Sequence, residues 1–311
     1  MQVYGVGEKI REERKRKQIS GEELCIGICS VATLSRIENN TQKPTLKVEE
    51  ALLQRLGCDT DGLIYYADKQ ALIGHGIENE LTVLTMHRRP VEEKLAEYRK
   101  YIKNRSADTN LEEQFAMMIE AIHAFYTNGW ELQIIYGQLE EALRITIPNF
   151  KEENLEEVKL LTQTEITIIN NLALIRYRQE KVTKAIRMMY YLINYVEKGN
   201  IGIENANKKY PMLLCNLAKV LEETGSYGEM LELCEKGIVF CKKYSRLIGL
   251  SEFCYYKALA CTKYNRNVEA IENYEYAISL CKLTDRPKEV EQLQKAYGEL
   301  IKNSCSKNQN Q

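Results

Sequence analysis

Helix breakers are scarce in this chain, with five prolines and 17 glycines among 311 residues, while Leu, Ile, Glu, Lys and Tyr are abundant. That balance argues against a turn-rich fold and for an all-α one. No run of 18 apolar residues occurs and no apolar h-region opens the sequence, so the expectation is a cytoplasmic protein that neither spans a membrane nor is secreted. Ten cysteines are present, but none forms a C-x-x-C pair. Cys215, Cys234, Cys241, Cys254, Cys261 and Cys281 sit inside helical patterns, as small core residues do in a reducing compartment. The three histidines, His75, His87 and His123, have no ligand-like partners at fixed spacing. Gly5-Val6-Gly7 follows no strand and so is no nucleotide loop. Without a nucleophile–base set, metal cluster or phosphate-cradling loop, the reading is a non-enzyme that needs neither metal nor cofactor.

What is present is unevenly placed. The net charge is −1, yet the first 58 residues carry +2 and the remainder −3. Arg11, Arg14, Lys15, Arg16 and Lys17 put five cations within seven residues, enough to meet a phosphate backbone or to form a solvated helix face. Downstream, Ser30–Asn40 reads as a helix with Ser30 as its N-cap. Leu34 and Ile37 turn to one side; Val31, Ala32, Thr33, Ser35 and Arg36 remain on the other. A short-chained face with one arginine suits a helix pressed against base edges, where bulk is excluded and reach matters.

The flanks support that reading. Val6 and Ile10, with Val3, mark a first helix to about Lys17; Ser20 and Glu23 form a capping-box pattern for a second, with Leu24 and Ile28 inward. The second helix, a tight turn and the Ser30 helix make a helix-turn-helix. Pro44 breaks the chain, and Leu46, Ala51, Leu52, Leu53 and Leu56 give another amphipathic helix ended by Gly57. The segments GEKIREERKRKQIS-GEEL, SVATLSRIENN-TQKPTL and EALLQRLGC resemble the lambda-repressor-like, XRE-type DNA-binding domain. The resemblance implies a five-helix domain over 1–66 that binds double-stranded DNA. By position it puts Val31, Ala32 and Arg36 at bases and Ser30, Thr33, Asn40 and Lys43 near phosphates, with Ser35 on the same DNA-binding face, and pairs Arg14 with Glu38. It also marks a departure: Gly21 stands where a phosphate-gripping glutamine is usual, which leaves helix amides to make that contact.

Residues 67–105 form a helical connection and a degenerate first repeat. Gly74 and Gly76 interrupt an apolar rhythm over 68–86 and predict a break, since each weakens a helix by about 1 kcal/mol relative to alanine. Pro90 precedes a charged helix over 91–104, and no Gly/Ser-rich tether intervenes. Such a connection would transmit movement.

Residues 106–303 repeat themselves. Ala173, Ala218 and Ala258 share a register, 45 and then 40 residues apart; Ala185, Met230 and Ala270 share a second, and Leu192, Gly237 and Ala277 a third. Small residues at these points let antiparallel helices approach and pairs stack. The pattern resembles a tetratricopeptide-repeat (TPR) array of about five pairs, with another type of α-solenoid as the structural rival; a lone helix over 288–302 caps it and 304–311 frays. Asn171 and Asn216 share a register, where a carboxamide can donate to and accept from an extended peptide backbone, or else cap a neighbouring helix. Thr167, Asn170, Tyr177, Arg178, Lys219, Tyr255 and Tyr256 are expected near the same surface. Head and array together resemble the RRNPP group of peptide-pheromone regulators, PlcR-like members in particular, as does the Thr146–Phe150 stretch TIPNF. That resemblance implies a homodimer on a palindromic operator whose TPR groove binds a short signalling peptide. The alternative is a TPR interaction scaffold, or an antitoxin-like inhibitor that carries a helix-turn-helix.

Overall fold

The computed structural model describes residues 5–60, 68–105, 109–127, 129–247 and 249–308, and among them no strand occurs. The chain divides into two compact units, Met1–Ala206 and Asn207–Gln311.

Unit one begins with four short helices: α1 (Val6–Arg16), α2 (Gly21–Cys25), α3 (Val31–Glu38) and α4 (Leu46–Arg55). Hydroxyl caps start three of them. Ser20 accepts from the Glu23 amide at 3.0 Å, Ser30 from Thr33 at 3.0 Å and Thr45 from Val48 at 3.3 Å. Each satisfies a donor that the first turn leaves free, and its loss typically costs about 1 kcal/mol. Ile10, Leu24, Ile28, Leu34, Ile37, Leu52, Leu53 and Leu56 close into one buried cluster. The early glycine pair has a packing reason: a Cβ on Gly7 would sit 1.9 Å from the Ile37 carbonyl oxygen, so α1 crosses α3 with no room for a side chain. The part of the head after Thr60, where a fifth helix was expected, and Val3 lie outside the described residues.

The unit continues with α5 (Lys69–Met86), α6 (Glu92–Lys103), α7 (Asn110–Thr127), α8 (Leu132–Thr146), a 3-10 helix over Glu152–Glu157, α9 (Gln163–Arg178) and α10 (Val182–Glu197). The expected break in the connection does not occur, because α5 runs straight through Gly74 and Gly76. Gly74 is instead a place of close approach: its Cβ would lie 2.4 Å from the Tyr101 hydroxyl. The propensity loss is offset by packing against α6. Ala173, Ala185 and Leu192 are all fully buried, as their register requires.

From the chain order, α11 (Ile203–Glu223), α12 (Tyr227–Lys243), α13 (Leu250–Lys263), α14 (Asn267–Leu283) and α15 (Pro287–Asn308) complete the fold, so α5 to α14 supply five successive helix pairs. In unit two Ala218, Met230, Ala258, Ala270 and Ala277 are sealed from solvent. Gly237 belongs to the same set for a steric reason, since a Cβ there would meet the Phe253 ring at 2.6 Å. Tyr210 of α11 packs on Phe240 of α12 with centroids 4.8 Å apart. The last helix extends to Asn308, and 309–311 lie outside the description.

Candidate nucleic-acid interface and its ties to the repeat helices

In α3 the periodicity resolves into two faces. Leu34 and Ile37 are each 1% exposed, whereas Ser30, Val31, Ala32, Ser35 and Arg36 are open to solvent and Thr33 is half-buried. Asn40 and Lys43 are also exposed, so the residues expected at DNA lie on or beside one surface. The Arg36 guanidinium is held only at its edge, donating to Gln42 Oε1 at 3.5 Å, which leaves its fork free to reach outward. Gly21 opens α2 half-buried; a Cβ there would lie 3.7 Å from Leu34, an ordinary contact.

Arg14 and Glu38 pair as expected. Arg14 Nε and Nη2 donate to the two carboxylate oxygens at 2.6 and 2.8 Å, and Nη1 donates to the Ile19 carbonyl at 3.1 Å. Hydrogen bonding to Glu38 holds the Arg14 guanidinium above its ordinary pKa. This bidentate geometry pins α1 to the end of α3. It also divides the basic cluster: Arg14 is consumed inside the head, and Arg16 donates to Glu13. The five cations therefore do not form one phosphate-contacting patch.

Beneath the exposed helix, the head is fastened to the helices that follow. Arg55, 2% exposed at the end of α4, donates to the Leu24 and Ile26 carbonyls at 3.1 and 2.6 Å, to the Thr146 carbonyl at 3.2 Å and to Glu165 at 2.8 Å. Glu165 completes a capping box with Thr162 at the start of α9. The neighbouring Gln54 accepts from the Gln163 amide at 3.0 Å. Asp59 accepts from the Glu204 amide at 2.9 Å and so caps the first turn of α11. Gly27, with φ +68°, brings the helix-turn-helix corner against the Thr146 backbone, where a Cβ would meet Thr146 Cα at 2.4 Å. A second seam joins Lys47 to Glu78, and Tyr98 to the same carboxylate. Burial would lower the Lys47 pKa, but Glu78 and neighbouring carboxylates raise it, and burial with Glu78 drives the Tyr98 hydroxyl far up.

None of these fastening residues was singled out in sequence. One signal was there, the Thr162-x-x-Glu165 box. The TIPNF stretch also acquires a role. Thr146 is fully buried, its hydroxyl receives Gln114 Nε2 at 2.6 Å, and its carbonyl receives Arg55; Phe150 is 2% exposed.

The residues expected to hold a peptide are found in both units. In unit one, Asn171 is 5% exposed; its Nδ2 donates to the Thr167 carbonyl at 2.9 Å and its buried Oδ1 has no partner. Thr167 is half-buried and Asn170 is 3% exposed, while Tyr177 is half-buried and the Arg178 guanidinium lies 4.3 Å from the Phe125 ring centre. In unit two, Asn216, Tyr255 and Tyr256 are half-buried and Lys219 is exposed. The two tyrosine rings are 5.1 Å apart, and burial pushes the Tyr255 hydroxyl up to about 12. Among the described residues there is no cluster of metal-ligating side chains, and no helix is long and apolar enough to cross a membrane.

The helix-turn-helix family model matches residues 10–63, spanning α1 to α4. The N-terminal segment is a helix-turn-helix domain. No curated protein matches the chain significantly. Among solved structures, Bacillus thuringiensis PlcR in its apo form is similar over 93% of this chain and 98% of its own, with 15% identity and a TM-score of 0.61. PlcR in complex with the peptide PapR7 and DNA covers the same shares at 16% identity and a TM-score of 0.57. The helix-turn-helix head and its following helical pairs thus share the fold of PlcR.

Proposed function

We propose that this chain is a cytoplasmic transcriptional regulator whose head reads a palindromic DNA site as a homodimer and whose helical pairs receive a short signalling peptide. The observation that carries the DNA half is the α3 surface: short side chains and one loosely held arginine are exposed on a helix locked from behind by Leu34, Ile37 and the Arg14–Glu38 pair. The likeness to a PlcR structure that contains both DNA and a peptide supports the same reading. For the peptide half, support comes from Asn171, whose buried Oδ1 is an unused acceptor in unit one. We assign Thr167, Asn170, Tyr177 and Arg178 of that unit, and Asn216, Lys219, Tyr255 and Tyr256 of unit two, to peptide contact.

Two recognition helices on a two-fold site must sit about 34 Å apart, so a peptide acts by favouring one spacing of the heads. The Arg55, Gln54 and Asp59 bonds are suited to carry that effect, because they join the head directly to the first turns of α9 and α11. The test is selection from a random duplex pool by the full chain, with mass spectrometry of peptides that co-purify with it. A palindromic consensus together with a recovered peptide is expected. A folded protein that enriches no sequence would overturn the DNA half; recovery of a toxin-like protein instead of a peptide would favour an antitoxin-like role.

A further inference from the structure

Unit one holds a cavity of about 1130 Å³, walled by the end of α1 and the turn after it, by residues 156–160, and by α10 with the Gly199–Asn200 turn. None of the α3 residues assigned to DNA lines it. Six cations do, Arg16, Lys17, Arg55, Lys159, Arg187 and Lys198; with the lining Glu23 and Glu156 and the partners Glu13 and Glu165 set against them, an excess of two positive charges remains. Three of the cations are already paired, Arg16 with Glu13, Arg55 with Glu165 and Arg187 with Glu156. Lys17, Lys159 and Lys198 make no ion pair among the described residues. Nor are the lysines scattered along one helix face. An ideal Cβ on Gly57 would lie 3.0 Å from Lys17 Nζ and 3.2 Å from the Asn200 carbonyl, so the Lys17 ammonium reaches the turn that follows Lys198.

Like charges gathered around a recess repel one another, and a bound polyanion relieves that repulsion. Lysine ammoniums on separate elements act as point charges for successive phosphates. The remaining wall is aromatic. Tyr191 donates to the Val158 carbonyl at 2.6 Å, and Tyr195 receives the Leu161 amide at 2.8 Å, so both hydroxyls are tethered and the rings are fixed 6.4 Å apart. Tyr195 is 5% exposed and backs the wall, while the half-buried Tyr190 and Tyr191 offer ring faces of the kind on which bases stack. The volume is ample for a small molecule, since ligand pockets typically run to about 300–1,000 Å³.

We propose that this cavity binds a nucleoside polyphosphate, with its phosphates on Lys17, Lys159 and Lys198 and its base against the tyrosines. Such a ligand bridges α1 of the head to α10 and strengthens the docked arrangement by mass action. It is an input separate from the peptide and from DNA. The test is calorimetric titration of the full chain, without DNA or peptide, with ATP, GTP and inorganic pyrophosphate at low salt, accompanied by melting curves. Expected are saturable binding of at least one triphosphate, a higher Tm, weakening by added salt, and affinity at least about tenfold lower in Lys159→Glu/Lys198→Glu. Both substituted lysines are exposed and reversing them relieves the repulsion, so the ligand-free variant should melt no lower than the parent. Absence of saturable triphosphate binding at about 1 mM, or undiminished affinity in the variant, would overturn the site. Pyrophosphate binding as tightly as the triphosphates would overturn the base contact.

Discussion

Arg55 and Glu165, 110 residues apart in sequence, form an ion pair of 2.8 Å whose side chains are 1% and 0% exposed. The pair joins the last turn of the helix-turn-helix head to the first turn of α9. Removing one partner of a buried pair leaves the other charge stranded, which costs about 3–5 kcal/mol, far more than a surface pair is worth. Glu165→Ala should lose that much stability in urea unfolding, and Arg55→Met a similar amount, because the Leu24, Ile26 and Thr146 carbonyls lose their donor as well. The double variant should be less damaged than the two losses added, with a coupling of about 1 kcal/mol or more. Additive losses would mean that the two residues act independently.

That pair also shows where sequence stops being legible. The faces of α3 followed from its spacing, because apolar and short polar residues there alternate at the helical period. The small-residue registers at Ala173, Ala218 and Ala258 were visible for the same reason, and all three are buried. Long-range polar partners leave no period. Arg55 looks like a solvated arginine until the chain brings Thr146 and Glu165 to it. Gly74 misled because local propensity predicts a break, whereas the ring of Tyr101 fills the space a Cβ would need. Asn171 and Asn216 were paired by register, yet Asn171 is 5% exposed and Asn216 half-buried, since small shifts in helix rotation decide exposure.

Acid should loosen unit one at Glu152. This carboxylate receives Tyr136 at 2.6 Å, Arg176 at 2.6 Å and Lys184 at 2.7 Å. Burial raises its pKa, but the bonds from Lys184, Tyr136 and Arg176 outweigh that and bring it to about 2, from an ordinary 4.5. A depressed folded-state pKa stabilises the fold above about pH 4.5, and the contribution, roughly 3 kcal/mol, is lost as pH falls toward 2. Glu152→Gln should therefore melt well below the parent at neutral pH, and the difference in Tm should shrink steadily below about pH 4.5. A gap that stays constant down to pH 3 would sink the assignment.

Two glycines should respond oppositely to alanine. At Gly7 the added Cβ meets the Ile37 carbonyl at 1.9 Å, a backbone atom that moves only if α1 lifts from α3. Gly7→Ala should cost about 1–3 kcal/mol, as overpacking does. Gly76 lies on the exposed side of α5 with nothing within 4 Å of its Cβ position. Gly76→Ala should stabilise by up to about 1 kcal/mol through helix propensity. Melting curves of the two variants decide both signs.

On the face proposed to meet DNA, the head can be improved as well as damaged. Arg36 is exposed and makes only one weak internal bond, so Arg36→Ala should leave Tm unchanged while costing about 1–3 kcal/mol of binding to a selected duplex and little on random DNA. Gly21 offers the reverse experiment. Its Cβ position meets only ordinary contacts, 3.7 Å from Leu34 and 3.9 Å from Val31, so a side chain can start at the first position of α2 without a clash at Cβ. Gly21→Gln should add a phosphate contact, tightening binding to specific and random duplexes alike by about 0.5–1.5 kcal/mol. Anisotropy titrations on both duplexes separate the two effects: Arg36→Ala reduces the ratio of affinities, whereas Gly21→Gln shifts both and leaves the ratio in place. Loss of affinity equally on both duplexes in Arg36→Ala would move that arginine from the bases to the phosphates.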